Sequence, residues 1–557
     1  MACALKLNYR ILLILFLAVY PGYTAYAGNT PSASAVASAH PLATQAGQEI
    51  LAAGGNAFDA AIAVTATLAV VEPSGSGLGG GGFWLLHHAK DGFDIMIDGR
   101  ETAPAAATHD MFLDQAGNYV PKLSLDSTLG AGIPGVPAAL DHLAKNYGKL
   151  SLKQSLAPAI RYAEQGFKIT KHYQRLATMR HKVLLTSPAA KAVFLDNGKV
   201  PAPGYILRQP DLANTLRLLA RSGRTGFYEG KLGKQLVNAV QKTGGIWTLK
   251  DLKNYRIVER QPVITTYKNF KVISAALPSS GGIVMVEALN LLEPYQLNKL
   301  PKWQRHHMVI EAMRIAYRDR ALYLGDADFI SVDTKKLISK TYANELRKEI
   351  NKTRAGHGNE SIVKPRTKGT DTSHFSIIDQ QGNRVAATLS INYPFGSGFM
   401  PPGTGVVLNN EMDDFSAKPG TPNVYGLVGS HANAIAPGKR PLSSMSPTFI
   451  ESENLVVAMG TPGGSRIISM VLLAILEIAE GRGVVKDWVS LPRFHHQYLP
   501  AQVTFEAGAF SKKELKQLKK ADHSLKASKN RYGNMQAVSW FKQKNIVQAA
   551  SDPRGEG

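Results

Sequence analysis

The sequence changes character abruptly near residue 371, and this change constrains the fold more than any other feature. Residues 351–370 are polar and rich in Lys, Gly, Thr and Ser, which predicts an exposed, protease-accessible loop. Residues 373–379 and 385–391 then alternate or run apolar around the turn at residues 381–383, which predicts a β-hairpin. The chain therefore passes directly from a loop open to cleavage into a strand suited to a buried sheet.

Helices dominate the first part of the chain. Residues 44–71 are rich in alanine and broken only by G-G-N, which predicts two helices with Asn56 capping the second. Residues 137–300 are mostly helical in pattern, with a strand-like piece at 263–274, and residues 305–324 predict an amphipathic helix. No repeat and no Pro-rich linker divides the 557 residues, so we expect one compact unit of mixed helix and sheet.

The N-terminus has the order of an export signal. Two basic residues, Lys6 and Arg10, precede the apolar run 11–20, and A-Y-A at residues 25–27 precedes Gly28. A membrane anchor is the alternative, but this run is about half the ~20 residues that span a bilayer. The one cysteine of the chain lies inside this segment, so the mature protein would have no disulfide and no thiolate nucleophile.

Several common ligands are not supported by the sequence. Residues 75–80 match G-x-G-x-x-G, but a helix precedes the glycines and a strand follows, which is the reverse of a dinucleotide site. His306 and His307 are adjacent, so their rings point to different faces and cannot chelate one metal ion. The formal charge of +22 favours anionic neighbours, yet the densest basic stretch, 512–529, predicts a solvated helix rather than a nucleic-acid module.

A polar cluster, D-T-S-H-F-S, occupies residues 371–376, where the exposed loop meets the first strand of the hairpin. The cluster offers hydroxyl, imidazole and carboxyl groups. However, the chain has no G-x-S-x-G nucleophile elbow, and neighbouring residues on a strand point to opposite faces. By itself the cluster only suggests a nucleophile.

Residues 372–376 resemble the T-[TS]-H-[FY]-S signature of gamma-glutamyltransferases, which are N-terminal nucleophile hydrolases. Other segments resemble family motifs in the same order, so the resemblance covers about residues 54–554. These segments are residues 54–57 with Asp59, 71–73, 79–83, 98–101, 409–415, 441–448, 462–466 and 552–554.

The resemblance implies that the chain cuts itself when the hydroxyl of Thr372 attacks the carbonyl of Asp371. Thr372 then carries a free α-amino group, whose ordinary pKa of about 7.7–8.0 suits a general base near neutral pH. The family has a second hydroxyl where this chain has Ser390; threonine is usual there, and serine is freer at χ1. Gly463 and Gly464 match the pair whose N–H groups form the oxyanion hole, although the same residues also suit a turn into a helix.

The resemblance also implies which residues hold the α-carboxylate of a glutamyl group. Arg100, in D-G-R-E, matches the family's carboxylate anchor, and Ser443 and Ser444 match its serine partners. A guanidinium can hold a carboxylate through two parallel hydrogen bonds. The alternative for Arg100 is a surface ion pair with Glu101 or another acid.

Asn392, Glu411 and Asp414 match the positions that hold the α-ammonium group, and all three supply acceptor oxygens. Tyr425 lies in a loop at residues 419–433 that resembles the lid over the glutamyl pocket, and an aromatic lid would limit the access of water.

The implied fold is α+β, a four-layer αββα sandwich built jointly by a large chain, residues 28–371, and a small chain, residues 372–557. The implied reaction transfers the γ-glutamyl group of glutathione, through an ester on Thr372, to water, an amino acid or a short peptide. We expect no cofactor, no metal, no nucleic acid and no stable membrane span after signal removal, and a periplasmic or secreted location. Two rivals remain: a β-lactam or glutaryl acylase on the same scaffold, and an exported binding or structural protein without catalysis.

Overall fold

The computed structural model describes residues 30–356 and 372–557. The predicted signal peptide and the predicted cleavage residue Asp371 lie outside these ranges. The strands are β1 Ala35–Ser38, β2 Gly81–His88, β3 Phe93–Gly99, β4 Phe167–Lys168, β5 Ile206–Leu207, β6 Val258–Arg260, β7 Val263–Tyr267, β8 Phe270–Ser274, β9 Ser373–Ile378, β10 Arg384–Ser390, β11 Thr448–Glu451, β12 Leu455–Gly460, β13 Phe494–His495, β14 Val503–Phe505, β15 Leu525–Ala527, β16 Gln536–Phe541 and β17 Ile546–Ser551.

Most of the described helices precede β9 in the chain, and three follow β12. The helices are α1 Pro41–Ala52, α2 Ala57–Val71, α3 Pro121–Leu125, α4 Val136–Asn146, α5 Leu152–Gln165, α6 Lys171–Leu184, α7 Pro188–Phe194, α8 Pro210–Ser222, α9 Arg224–Tyr228, α10 Gly230–Lys242, α11 Leu249–Asn254, α12 Gly281–Leu292, α13 Lys302–Tyr323, α14 Thr334–Leu337, α15 Lys340–Leu346, α16 Ile467–Ala479, α17 Val485–Ser490 and α18 Lys512–Lys520.

Two antiparallel six-stranded sheets form the centre of the molecule. The first has the order β1-β9-β10-β2-β3-β6 and the second the order β17-β16-β12-β11-β8-β7. The sheets pack face to face, because β9 lies against β12 and β16, and β1 lies against β16 and β17. Each sheet combines strands from before and after residue 371, so both predicted chains share one core.

Helices cover the outer face of each sheet. On the first sheet, α2 lies against β9 and β10, with α1 and α5 beside it. On the second, α12 lies against β7 and β8, and α13 and α16 pack against α12. The four layers confirm the predicted αββα sandwich. No helix in the described part of the chain is long and apolar enough to cross a bilayer.

Alternating side chains of the first sheet enter two different cores. Phe83 and Leu85 of β2 point toward the second sheet, whereas Trp84 and Leu86 point toward α2 and its neighbours. Every residue of β9 and β10 is buried. Burial on both faces explains why these strands read as apolar runs rather than strict alternation.

The structure confirms most local predictions and corrects two. Asn56 caps α2 in a reciprocal capping box with Asp59. The expected amphipathic pattern of α13 is wrong, because every residue from His307 to Tyr317 is buried. The basic helix predicted over residues 512–529 ends at Lys520, and a short strand follows it.

The glycine turn between α2 and β2 packs directly against the site. A Cβ on Gly80 would lie 2.1 Å from the carbonyl oxygen of Ser390, and one on Gly79 would lie 2.0 Å from that of Val407. These approaches exclude a side chain at either position. The predicted order of helix, tight turn and strand is therefore confirmed.

Candidate active site

Thr372 stands at the start of β9, opposite the end of β10. The β9–β10 register pairs Ser373 with Leu389, and continuing it by one residue brings Thr372 opposite Ser390. Thr372 is buried, and the Oγ of Ser390 accepts a hydrogen bond from the backbone N–H of Asn392 at 2.8 Å. The hairpin thus brings the two predicted hydroxyl residues to the same end of the sheet.

Thr372 lines a small pocket, called here the acyl pocket. Its free volume is about 20 Å³, which is room for roughly one water molecule. It contains every predicted catalytic and substrate-binding residue except Gly463. The lining residues are Arg100, Thr372, Ser390, Asn392, Glu411, Asp414, Tyr425, Leu427, Ser443, Ser444, Met445, Gly464, Ser465 and Ile467.

Arg100 is fully buried and lies among carboxylates. Its guanidinium donates to Glu411 through one nitrogen and to Asp414 at 2.7 Å through another. Its Nε donates to the carbonyl of Pro441 at 3.1 Å. Glu101 lies 3.8 Å away and is also buried, so the surface ion pair considered for Arg100 is wrong.

Burial and charge set the protonation of this cluster. Burial raises the pKa of Glu411 to about 7, against the opposing effect of Arg100. Burial, reinforced by Glu411, raises the pKa of Glu101 well above its ordinary value. Burial also raises the pKa of Asp414, while Arg100 lowers it. Burial therefore opposes the ionisation of all three carboxyl groups, and the Arg100 guanidinium favours it.

Two acceptor oxygens in the acyl pocket make no hydrogen bond to any described residue: Oδ1 of Asn392 and Oε2 of Glu411. Asn392 is fixed by a hydrogen bond from its Nδ2 to the carbonyl of Asn410 at 2.9 Å, and it has a φ of 70°. Buried acceptors without donors are costly, so these oxygens suit a ligand that brings N–H groups.

Ser443 and Ser444 are held by a residue at the start of α12 and by one on α13. Ser443 accepts a hydrogen bond at its carbonyl from the Ser280 hydroxyl at 2.6 Å. The Oγ of Ser444 accepts one from Arg320 at 3.3 Å, and Arg320 also donates to Ser280 at 2.9 Å. Arg320 is buried on α13, and burial lowers its pKa below the ordinary value. It is a site residue that the sequence did not predict.

Gly463 and Gly464 begin a short 3₁₀ turn that leads into α16, with φ values of 144° and 57°. Backbone N–H groups in the first turn of a helix have no partner within that helix, so they suit an oxyanion. The ring of Tyr425 lies so close to Gly464 that a Cβ there would be 2.5 Å from it. The Tyr425 hydroxyl donates to the carbonyl of Asn392 at 2.7 Å, so this ring closes the pocket.

A sequence model of the gamma-glutamyltranspeptidase family matches residues 43–557. The chain belongs to this family. Relatives in the gamma-glutamyltranspeptidase family include the glutathione hydrolase proenzyme of Pseudomonas sp. (strain A14), 42% identical over 86% of this chain and 84% of the relative. The glutathione hydrolase proenzyme of Escherichia coli (strain K12) is 41% identical over 93% of this chain and 90% of the relative.

Among solved structures, the cephalosporin acylase from Bacillus halodurans superposes with a TM-score of 0.83 at 30% identity, covering 95% of each chain. The gamma-glutamyltranspeptidase scaffold is thus similar to that of an acylase, and the scaffold alone does not define the acyl group.

One group of possible metal ligands lies outside the acyl pocket of this gamma-glutamyltranspeptidase homologue. His87, Asp94 and Glu451 place ligand atoms within 4.8 Å of one another. Lys271 already binds Asp94 at 2.9 Å, and Arg384 pairs with Glu451. A cation in this group would have to displace two protein cations, so we assign no metal to it.

Proposed function

We propose that this chain is a glutathione hydrolase and gamma-glutamyltransferase that uses Thr372 as its nucleophile. The observation that carries the proposal is the charge pattern of the acyl pocket. Arg100 offers a cation, and Asp414 with Glu411 offers anions, beside a buried hydroxyl residue. The α-carbon of a γ-glutamyl group bears a carboxylate and an ammonium, so it complements both signs of charge.

The chemistry then follows from the residues that face the scissile amide. The Oγ of Thr372 attacks the amide carbonyl, its proton passes by way of the α-amino group to the departing amine, and the C–N bond breaks. The N–H groups of Gly463 and Gly464 stabilise the negative charge that develops on the carbonyl oxygen. The γ-glutamyl ester that remains is released by water or by an amine, which restores the hydroxyl.

This cycle needs the free amine that cleavage before Thr372 would create. We therefore propose a large chain of residues 28–371 and a small chain of residues 372–557, which stay together because both contribute strands to both sheets. The order of charge, apolar run and A-Y-A at the N-terminus supports export to the periplasm or the medium.

The competing function is that of an acylase for glutaryl or β-lactam side chains, and it is favoured by the similarity to the cephalosporin acylase. A glutaryl group carries a carboxylate but no ammonium. It would bring no N–H donor to the free oxygens of Asn392 and Glu411, and no positive charge beside Asp414 other than that of Arg100. The acyl pocket therefore favours the glutamyl group.

The proposal is tested by replacing Thr372 and following both cleavage and turnover. Purified wild-type protein should run as two bands on a denaturing gel, with the smaller beginning Thr-Ser-His. Thr372→Ala should stay uncut and lose turnover of a γ-glutamyl anilide by at least about 10⁴-fold, because a methyl group cannot attack a carbonyl. Thr372→Ser keeps the hydroxyl and should be cut. A wild-type protein that is active without being cut would refute the nucleophile assignment.

A further inference from the structure

Arg320 is a buried cation beside the acyl pocket to which the proposed chemistry gives no part. It lies on α13, only 5% of its surface is exposed, and it makes no ion pair with any residue that the structure describes. A buried charge without a partner of opposite charge is costly, so such a residue is expected to hold something else in place. The contacts of Arg320 are to hydroxyl groups instead.

The N–H groups of Arg320 donate to two serine hydroxyl oxygens. Its Nε donates to the Oγ of Ser280 at 2.9 Å, and a terminal nitrogen donates to the Oγ of Ser444 at 3.3 Å. The Ser280 hydroxyl in turn donates to the carbonyl of Ser443 at 2.6 Å. One guanidinium thus holds both predicted serine partners of the substrate carboxylate, Ser444 directly and Ser443 through Ser280.

These contacts decide how the two serine hydroxyl groups can act. A guanidinium only donates hydrogen bonds, so the Oγ of Ser444 accepts from Arg320 and its proton stays available. The Oγ of Ser443 likewise accepts, from the backbone N–H of Met445 at 3.1 Å. Neither hydroxyl donates to a residue in the described part of the chain, and both serines line the acyl pocket. Two O–H donors therefore remain for a ligand, and a carboxylate can accept from both.

The charge of Arg320 also changes the electrostatic balance of the acyl pocket. Arg100 is already paired with Glu411 and Asp414, so its charge is offset before any substrate binds. Burial raises the pKa of Asp414, and the charges of Arg100 and Arg320 oppose this effect, so the field of Arg320 reaches the pocket. An anion that enters the pocket therefore meets a positive charge that no described carboxylate pairs with.

We propose that Arg320 is a positioning residue for the α-carboxylate of the acyl group. It holds the Oγ of Ser444 as an acceptor, which directs the Ser444 hydroxyl proton toward the substrate carboxylate, and its own charge stabilises that carboxylate once it is bound. Arg320 acts through Ser444 and through its field, without touching the substrate. This inference rests on the proposed function and adds to it a residue of α13 that favours acyl groups with an α-carboxylate.

The test compares two donors that differ only in that carboxylate: γ-glutamyl-4-nitroanilide and 4-aminobutanoyl-4-nitroanilide. The ratio of their kcat/KM values measures recognition of the carboxylate, because a general loss of fold or of the nucleophile lowers both values equally. The wild type should favour the γ-glutamyl anilide strongly. Arg320→Gln should lower the ratio by roughly 10- to 100-fold, the scale of hydrogen bonds to charged groups, and mainly through a higher KM for the γ-glutamyl anilide.

Arg314→Gln is the matched control. Arg314 is a second buried arginine on α13, but it pairs with Glu311 and does not line the acyl pocket. Its replacement should lower stability and leave the ratio at the wild-type value. A ratio that falls equally in Arg314→Gln and Arg320→Gln would overturn the positioning role, because the loss would then reflect the packing of α13.

A double-variant comparison tests whether Arg320 acts through Ser444. Ser444→Ala should lower the ratio by roughly 3- to 10-fold when Arg320 is present, the scale of one hydrogen bond. In the Arg320→Gln background the same change should lower the ratio by less than about 2-fold, because the hydroxyl proton is no longer directed to the carboxylate. Equal effects of Ser444→Ala in both backgrounds would show that the two residues act independently, which overturns the proposal.

Arg320→Lys keeps the test decisive if Arg320→Gln does not fold. Lysine keeps the positive charge but lacks the planar fork that contacts Ser280 and Ser444 together, so the ratio should still fall, by roughly 3- to 10-fold. A wild-type ratio in Arg320→Lys, or equal wild-type rates on the two donors, overturns the role of Arg320. A wild type that hydrolyses neither anilide overturns the proposed function instead, so the two failures are distinct.

Discussion

The two spaces that meet at Thr372 differ in size and in the pairing of their cations. The acyl pocket is small, about 20 Å³ in free volume, and its cation Arg100 is already held by two carboxylates. A second cavity that Thr372 also lines is far larger, about 690 Å³, and four of its cations, Lys171, Arg175, Arg466 and Arg531, make no ion pair with any residue that the structure describes. A charge buried away from water discriminates strongly between ligands, because leaving it without a partner is costly. An exposed charge discriminates less, because solvent and salt screen it. We therefore expect strict selection of the acyl group.

The largest effect should come from Asp414→Asn, which removes a negative charge from the acyl pocket at nearly constant shape. The wild type should reject a glutaryl anilide strongly relative to the γ-glutamyl anilide, because the glutaryl group brings no ammonium. In the variant, kcat/KM for the γ-glutamyl anilide should fall by about 10- to 1,000-fold, equivalent to about 1.4–4 kcal/mol. The ratio of kcat/KM for the γ-glutamyl anilide to that for the glutaryl anilide should therefore become smaller.

Asp413→Asn is the matched control for this measurement. Asp413 is buried beside Asp414, but it accepts hydrogen bonds from Tyr119, Ser124 and the N–H of Val424. Its replacement should lower stability and act equally on both substrates, so the ratio of their kcat/KM values should stay that of the wild type. Equal wild-type rates on the two anilides would favour the acylase.

A smaller effect is expected from Arg100→Lys. Lysine keeps the charge but lacks the planar guanidinium with which Arg100 contacts Glu411, Asp414 and the Pro441 carbonyl together. It also cannot bind the substrate carboxylate through two parallel hydrogen bonds. KM for the γ-glutamyl anilide should rise by roughly 10- to 100-fold, while cleavage of the precursor persists. Arg161→Lys, which disrupts an exposed pair with Glu49, should leave KM unchanged. An unchanged KM in Arg100→Lys would remove this residue from the acyl pocket's recognition of carboxylate.

Much of the fold and of the candidate site could be predicted from the sequence. Local patterns predicted the α2 helix, the tight glycine turn and the β9–β10 hairpin, since each depends on neighbouring residues. The hairpin register then fixes Thr372 relative to Ser390. The predicted substrate residues meet in one pocket because the family resemblance carried information about distant contacts that no local pattern contains.

Local sequence patterns could not predict the long-range polar contacts. Arg100 and Glu411 are 311 positions apart, and nothing near either residue indicates that they pair directly. The polar positions of α13 suggested a solvent-facing side. Instead, His307 bonds to His523 at 2.7 Å, and Arg314 pairs with Glu311 at 3.0 Å. Buried polar groups are tolerated once they are paired, and such pairing depends on the assembled layers. Arg320, on the same helix, was missed for this reason.

The smallest effect concerns the charge of Glu411. Its pKa is raised to about 7, so the carboxyl is protonated below that pH and ionised above it. Only the ionised form attracts the substrate ammonium. Glutamyl kcat/KM should therefore fall as the pH drops through 7. The free α-amino group proposed for Thr372, whose ordinary pKa is about 7.7–8.0, must also be neutral, so the acidic limb of a single pH profile does not identify the titrating group.

The ratio of glutamyl to glutaryl kcat/KM separates the two groups, because both substrates need the same neutral amine and only one carries an ammonium. In the wild type this ratio should rise roughly 3- to 10-fold between pH 5.5 and pH 8, as Glu411 ionises. Glu411→Gln keeps an acceptor oxygen but has no proton to lose, so its ratio should be independent of pH. The ratio in Asp413→Asn should follow the wild-type curve. A pH-dependent ratio in Glu411→Gln would assign the titration to Asp414 instead. Selection of the ammonium group in the acyl pocket would then depend on one buried carboxylate, that of Asp414, rather than on those of Asp414 and Glu411.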